Sequence, residues 1–228
     1  MHQIFLHRDP GHPPQNALLA AMAACLLQSL EPFLSIVSVP SGTVIYDVGN
    51  EIDRVYFPTH GLASLQFITR DGRVIDTAII GRNGALGVMA GIARYESKDR
   101  CVARSPLTSI TISSLDLRRL VHEHRELETM CFIQMDRVLS QTQRSAACYA
   151  LHTIEVRLAN CLLDASEMLS SDTIPFTQDM IAEMLAVRRT SISEAAGQLY
   201  GAEIIDYKRG TIRILDRASL SKLARRSE

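Results

Sequence analysis

From Ser114 to about Leu169 the chain contains neither proline nor glycine. Helix formers dominate the stretch and apolar residues recur at three- and four-residue steps, so it reads as helix throughout. A short helix is predicted over Leu115–Val121 and a long one from about Glu126 to Ala150. In the long helix Cys131, Met135, Val138, Thr142, Ser145 and Tyr149 step by four, three, four, three, four. That is the repeat of a coiled-coil seam. A helix lying on its own β domain gives the same spacing.

The residues before this stretch have another texture. From about Ser35 to Ser113 the chain is rich in Val, Ile and Thr and is punctuated by Gly42, Gly49, Gly61, Gly72, Gly81 and Gly84. Turn signals at that spacing predict an antiparallel sandwich or jelly roll. Asp71-Gly72 lies between Leu65–Thr69 and Val74–Ala78 and marks a hairpin. A helix from about Asn16 to Leu30 is expected to pack on the edge of this domain.

After the helical stretch, Pro175 breaks the pattern. Thr177 suits the N-cap of a helix running to Leu185, and a second helix is predicted from about Arg188 to Tyr200 with Gly201 as its left-handed C-cap. Ile204–Tyr207 and Thr211–Leu215 read as strands turned at Lys208-Arg209-Gly210, and Asp216 caps a last helix. Helix, tight turn, helix and β-hairpin is the order of a winged helix-turn-helix, the element by which many proteins read DNA.

Residue types support that use. Ile181, Met184 and Leu185 face inward on the first helix, Val187 fills the turn, and Ile192, Ala195, Ala196 and Leu199 form the inner stripe of the second. Arg189, Thr190, Ser193 and Glu194 are left outward near the second helix's start, where base edges are reached. Arg189 can fork onto guanine and Glu194 can accept from cytosine, while Thr190 and Ser193 serve bases or phosphates. Thr177, Arg188, Lys208 and Arg209 are the candidate phosphate contacts. The alternative for Glu194 is an ion pair with Arg188 or Arg189. Two features are awkward: Arg188 is a poor N-cap, and Ala186 stands where such turns often use glycine.

Composition bounds the rest. The chain of 228 residues is 46% hydrophobic and 21% charged, as expected of a soluble globular protein of one or two domains. No apolar run reaches the roughly 18 residues of a membrane span, and Ala17–Leu27 is read as a buried or interface helix rather than a signal peptide. Net charge is −1, but between Leu185 and Arg226 nine Lys/Arg stand against four Asp/Glu. The five cysteines, Cys25, Cys101, Cys131, Cys148 and Cys161, are scattered, which suits a reducing cytosol and neither a disulfide framework nor a zinc site. No Ser/His/Asp set, metal spacing or phosphate loop with its lysine points to an enzyme.

The chain resembles the Crp/Fnr regulators over nearly its whole length. The strongest match is Phe176–Leu199 followed by the wing at Tyr207–Arg217; Gln134–Leu163 resembles the family's dimerisation helix and the next one. The resemblance implies an α+β chain with an N-terminal jelly roll of cyclic-nucleotide-binding type, a long dimerisation helix and a C-terminal winged helix-turn-helix. The expected domains are 1–125, 126–151 and 152–228. It implies a bacterial, cytoplasmic homodimer on a roughly palindromic site, with double-stranded DNA, a second copy and RNA polymerase as partners and no membrane. The alternative is a protein-interaction module whose winged helix no longer reads DNA.

The sensor half departs from the family. Family members that bind cyclic AMP resemble one another in a Gly-Glu-Leu turn followed by Arg-Ser; here the turn is Gly84-Ala85-Leu86, and Lys98–Cys101 holds cations but no Arg-Ser pair. Thr142 matches a threonine that meets adenine, but Gln143 follows where such members have serine. Gly84, Ala85, Leu86, Arg100, Thr142 and Gln143 are thus candidate effector residues. The effector is expected to be something other than cyclic AMP, or none. Iron–sulfur sensing fails on ligand count. For haem the candidates are His2, His7, His12, His60, His122, His124 and His152, none of which stands out, and the cofactor is left unknown. A redox role for Cys131 or Cys148 is weighed against buried structural thiols.

Overall fold

A computed structural model of the chain describes residues 15–208 and 210–225. The first elements in chain order are α1 (Ala17–Ala20), α2 (Ala24–Leu30), β1 (Ser35–Val39), β2 (Val44–Tyr46) and β3 (Arg54–His60). Then come β4 (Ala63–Ile68), β5 (Val74–Ile80), β6 (Arg100–Ala103), β7 (Leu107–Ser113) and α3 (Ser114–Glu123). The long α4 (Arg125–Leu151) and α5 (Ile154–Leu169) follow. The last are β8 (Thr173–Ile174), α6 (Gln178–Met184), α7 (Arg189–Gly201), β9 (Ile205–Lys208), β10 (Thr211–Ile214) and α8 (Arg217–Arg225). The α+β class is as the sequence predicts.

The described residues form two compact units: those up to Ala63 with Ile80–Ser140, and Ser64–Ile79 with those from Gln141 on. In the first, β1, β7 and β3 form an antiparallel sheet in that order, and β2 pairs with β6. Alternation along the strands turns Val55 and Phe57 of β3 and Ile110 and Ile112 of β7 into one core with Leu19, Leu30, Leu117 and Leu127. Ser113 caps α3 by accepting from the Asp116 amide at 3.0 Å.

The expected helix Asn16–Leu30 is two helices. Asn16, fully buried, accepts from the amides of Leu18 and Leu19 and so starts α1, while Ala23 is extended and restarts the chain as α2. No breaker residue marks the interruption in Ala21–Ala23. Gly61 has a steric reason: its φ is +81° and a Cβ would lie 2.2 Å from the Pro106 carbonyl oxygen.

In the second unit β4 and β5 form the predicted hairpin. Gly72 takes φ +81° at its tip, and the Thr69 amide donates to the Arg73 carbonyl at 2.9 Å. A small antiparallel sheet runs β8-β10-β9, with Ile212 opposite Ile174 and Ile214 opposite Ile205. Strand β8 is unforeseen, because two residues are too few to show alternation. Leu158, Leu162, Phe176, Ile181, Ile192, Ile205, Ile212 and Leu220 are buried at this unit's centre.

Candidate nucleic-acid interface

Helix α6 begins at Thr177, whose hydroxyl accepts from the Met180 amide at 3.1 Å. Its inner residues Ile181, Ala182, Met184 and Leu185 are buried as their spacing requires. The helix stops in a left-handed turn at Ala186, φ +50°. There the Ala186 amide donates to the Glu183 carbonyl and the Val187 amide to the Ala182 carbonyl, the paired bonds of a Schellman cap. Alanine holds this conformation at a cost of about 1–2 kcal/mol. Val187 is only half-buried, so it fills the turn less completely than its apolar side chain suggested.

Helix α7 buries Ile192, Ala195, Ala196 and Leu199, each at most 4% exposed. Arg188 stands at its N-cap and makes no side-chain cap bond, in keeping with its residue type. Gly201 is not the left-handed cap: it is helical, and Glu203 takes the position at φ +57°. The Glu203 amide bonds to the Tyr200 carbonyl and the Ile204 amide to the Leu199 carbonyl. Asp216 starts α8 as predicted, accepting from the Ser219 amide at 3.0 Å.

The structure gathers Arg188, Arg189, Thr190, Ser193 and Glu194 on the exposed side of α7's first turns. Arg189 does not pair with Glu194. Its Nε lies 3.2 Å from Asp179 Oδ1 on α6, both side chains about two-thirds exposed. Ser193 donates to Gln178 Oε1 at 2.7 Å. Gln178 and Asp179 are thus members of this surface that sequence reasoning missed. Their approach depends on the angle between two helices, which local spacing does not encode. On the wing, Lys208 is exposed and lies 3.4 Å from Asp206 Oδ2. The candidate contact Arg209 lies outside the described residues, as do His2, His7 and His12.

The candidate effector residues of the first unit are already engaged. The Gly84 carbonyl accepts from Asn16 Nδ2 at 2.9 Å and the Ala85 carbonyl from Gln134 Nε2 at 3.0 Å. Leu86 and Tyr56 exchange backbone bonds at 2.8 and 3.1 Å. Gly84 leaves room for the Gln134 amide, since a Cβ there would lie 3.0 Å from its Nε2. Gln134 Oε1 is buried without a partner. Arg100 forks onto Asp47 at 2.9 and 2.8 Å and holds that carboxyl below its ordinary range. In the second unit Thr142 is half-buried and Gln143 exposed.

The expected seam needs a correction at its start. Cys131 is fully buried in the first unit's core, where desolvation pushes its thiol up to about 12, and Met135 packs against the same core. Val138, Thr142, Ser145 and Tyr149 are half-buried. The large apolar side chains that α4 exposes are instead Phe132, Ile133, Leu139 and Leu151. For Cys131 and Met135 the spacing records packing on their own β domain.

The five cysteines form no disulfide within the chain. Among the described residues no group of His, Cys, Asp and Glu could hold a metal ion, and no helix is long and apolar enough to cross a membrane.

Two family models match the chain. Residues 36–124 match the cyclic nucleotide-binding domain and residues 156–223 the Crp-like helix-turn-helix domain. Among curated proteins, none matches the sequence. Among solved structures, FixK2 from Bradyrhizobium japonicum is similar with a TM-score of 0.73 and 16% identity, over 83% of this chain and 96% of that one. A CRP/FNR-family regulator from Thermus thermophilus gives 0.67 and 23%, over 83% and 98%. The c-di-GMP responsive global regulator CLP of Xanthomonas campestris gives 0.69 and 15%, over 84% and 99%. At these identities the likeness is one of fold. The two domain models, in this order on one chain, are those of a DNA-binding regulator and not of an enzyme. The chain belongs to the Crp/Fnr family of transcription regulators.

Proposed function

We propose that the chain acts as a homodimer that reads a roughly palindromic operator, with α7 of each copy in the major groove. The observation that carries this reading is the contrast between the two faces of α7. One is wholly buried, and the other offers Arg189, Thr190, Ser193 and Glu194 together at the helix start. These four read bases. Thr177, Arg188, Lys208 and Arg209 hold phosphates and set register without reading sequence. Two copies joined along α4 place their reading helices about 34 Å apart, one turn of the duplex. The exposed Phe132, Ile133 and Leu139 are what the helix offers a second copy, with the half-buried Val138, Thr142 and Ser145 flanking them, while Tyr149 is taken up by contacts within its own chain.

Selection from a random DNA pool tests the reading. Enrichment of an inverted repeat with half-sites one turn apart supports it; retention without any enriched sequence sinks it. On the selected site Arg189→Ala is expected to relax the choice of one base pair, at about 1–3 kcal/mol. Lys208→Ala is expected to weaken all DNA alike. Equal effects of both on every sequence refute the division of roles.

Cyclic AMP is not the effector in this reading. The turn that would hold its ribose has Ala85 in place of an acid, which leaves no carboxylate for the 2′-hydroxyl, and the turn's carbonyls are already bonded to Asn16 and Gln134. Cyclic nucleotides should leave the melting temperature unchanged; a rise of several degrees overturns this. Such a regulator works in the cytoplasm with RNA polymerase as its further partner.

A further inference from the structure

The last carbonyls of a helix have no amide of their own helix to meet. At the end of α6 the amides of Ala186 and Val187 serve Glu183 and Ala182, which leaves the carbonyls of Met184 and Leu185. Both are met from outside the helix-turn-helix. The Tyr149 hydroxyl, at the end of α4, donates to Met184 O at 3.3 Å. The Arg157 guanidinium, on α5, donates to Leu185 O. It also lies 4.7 Å from the centre of the Tyr149 ring, so the two side chains support each other. A cation at this position also meets the partial negative charge of the helix end.

The same hydroxyl serves a second acceptor. It lies 2.9 Å from Asp76 O on β5, closer than to Met184 O. One proton is therefore divided between the β4–β5 hairpin and α6. A second tie runs alongside: Gln66 Nε2 lies 3.0 Å from Asp76 Oδ1 and 3.1 Å from Glu183 Oε1. Immediately beyond this cap comes Ala186, held left-handed without glycine's freedom, and then the first turn of α7.

We propose that Tyr149 and Arg157 are positioning residues for DNA reading, which cap α6 and so fix the turn from which the base-reading end of α7 departs. Because β5 competes for the Tyr149 proton, the hairpin adjusts that cap. Withdrawal of Asp76 O gives the whole bond to Met184 O and tightens the turn. Closer approach of the hairpin loosens it. Burial raises the phenol's pKa, so the hydroxyl remains a donor across the physiological range. The proposal rests on the role given above to α7.

Tyr149→Phe keeps the ring over Arg157 and removes only the donor. In the full chain without DNA, the amides of Ala186 and Val187, which close the turn, should exchange about five-fold faster in this variant, the loss of one net hydrogen bond, while those of β10 keep their rates. Arg157→Met should do the same, and Arg157→Lys, which retains a cation and a donor, should recover part of the protection. On DNA, the preference of Tyr149→Phe for the fragment selected by the native chain over an unrelated one should fall about five-fold, with affinity for the unrelated fragment unchanged. Unaltered exchange at Ala186 and Val187, or acceleration shared equally by β10, overturns the proposal, as does an equal loss on both fragments. If the native chain selects no sequence, the DNA-reading role fails, and the exchange rates alone still decide the cap.

Discussion

Arg189 Nε lies 3.2 Å from Asp179 Oδ1, so the side chain best suited to guanine is already paired inside the free protein. Both partners are about two-thirds exposed, and such a pair contributes about 0–1 kcal/mol. It is therefore easily exchanged for a base contact, but it keeps a carboxylate beside the duplex. Asp179→Asn should tighten binding to DNA of any sequence about three-fold at low salt, and the gain should fade as salt rises. Stability should change little. Gel shifts at two salt concentrations check this, and an unchanged affinity for random DNA at low salt would count against it.

The face of α7 was legible because helical spacing alone separates Ile192, Ala195, Ala196 and Leu199 from Arg189, Thr190, Ser193 and Glu194. What touches that face was not. Asp179 and Gln178 reach it across the angle between α6 and α7, and no local pattern states an angle. Helix ends were half legible. The hydroxyls of Thr177 and Ser113 and the carboxylate of Asp216 cap through chemistry of their own. Gly201 pointed to the wrong cap, because the end of α7 is set by where Leu199 and Ile205 must be buried, and that puts Glu203 in the left-handed position. Cys131 misled in another way. A four-three step describes packing against any surface, and its surface is the core of its own domain.

Asp47 and Arg100 should give the first unit a measurable acid sensitivity. The fork from Arg100 holds the Asp47 carboxyl below its ordinary range. A carboxyl so depressed stabilises the folded chain above its unfolded value, and the contribution is lost as pH falls through the folded one. Asp47→Asn should therefore be less stable than the native chain at pH 7, and the gap should narrow steadily toward pH 3. Urea unfolding at both pH values is the measurement. A gap independent of pH would mean that the pair contributes through packing rather than charge.

The thiols should divide by burial. Cys25 is exposed, whereas Cys131 is fully buried with its ionisation pushed up to about 12. Only the thiolate is nucleophilic. At pH 8 iodoacetamide should label Cys25 within minutes and leave Cys131 unlabelled until the chain is unfolded in urea. Peptide mass spectrometry reads both sites. Native labelling of Cys131 at a rate near that of Cys25 would show that its core opens readily.

Ser170, Ala186 and Glu203 are the non-glycine residues with positive φ among the described residues, at 49°, 50° and 57°. Each follows a helix of the second unit, and each donates its amide to a carbonyl three residues back while the next amide reaches five residues back. Three Schellman caps are thus built without glycine. A left-handed non-glycine residue costs about 1–2 kcal/mol, and glycine's extra freedom in the unfolded chain returns about 0.5–1 kcal/mol of that difference. Each of Ser170→Gly, Ala186→Gly and Glu203→Gly should therefore stabilise the chain by about 0.5–1 kcal/mol, seen as a higher urea midpoint at unchanged slope. The effects should add, because the three caps share no bonds. Ala186→Gly carries the sharper test. The turn it occupies lies between the two helices of the reading head, so relief of strain there should raise stability without raising affinity for the selected DNA. A midpoint that falls would show that the alanine methyl packs where glycine leaves a gap.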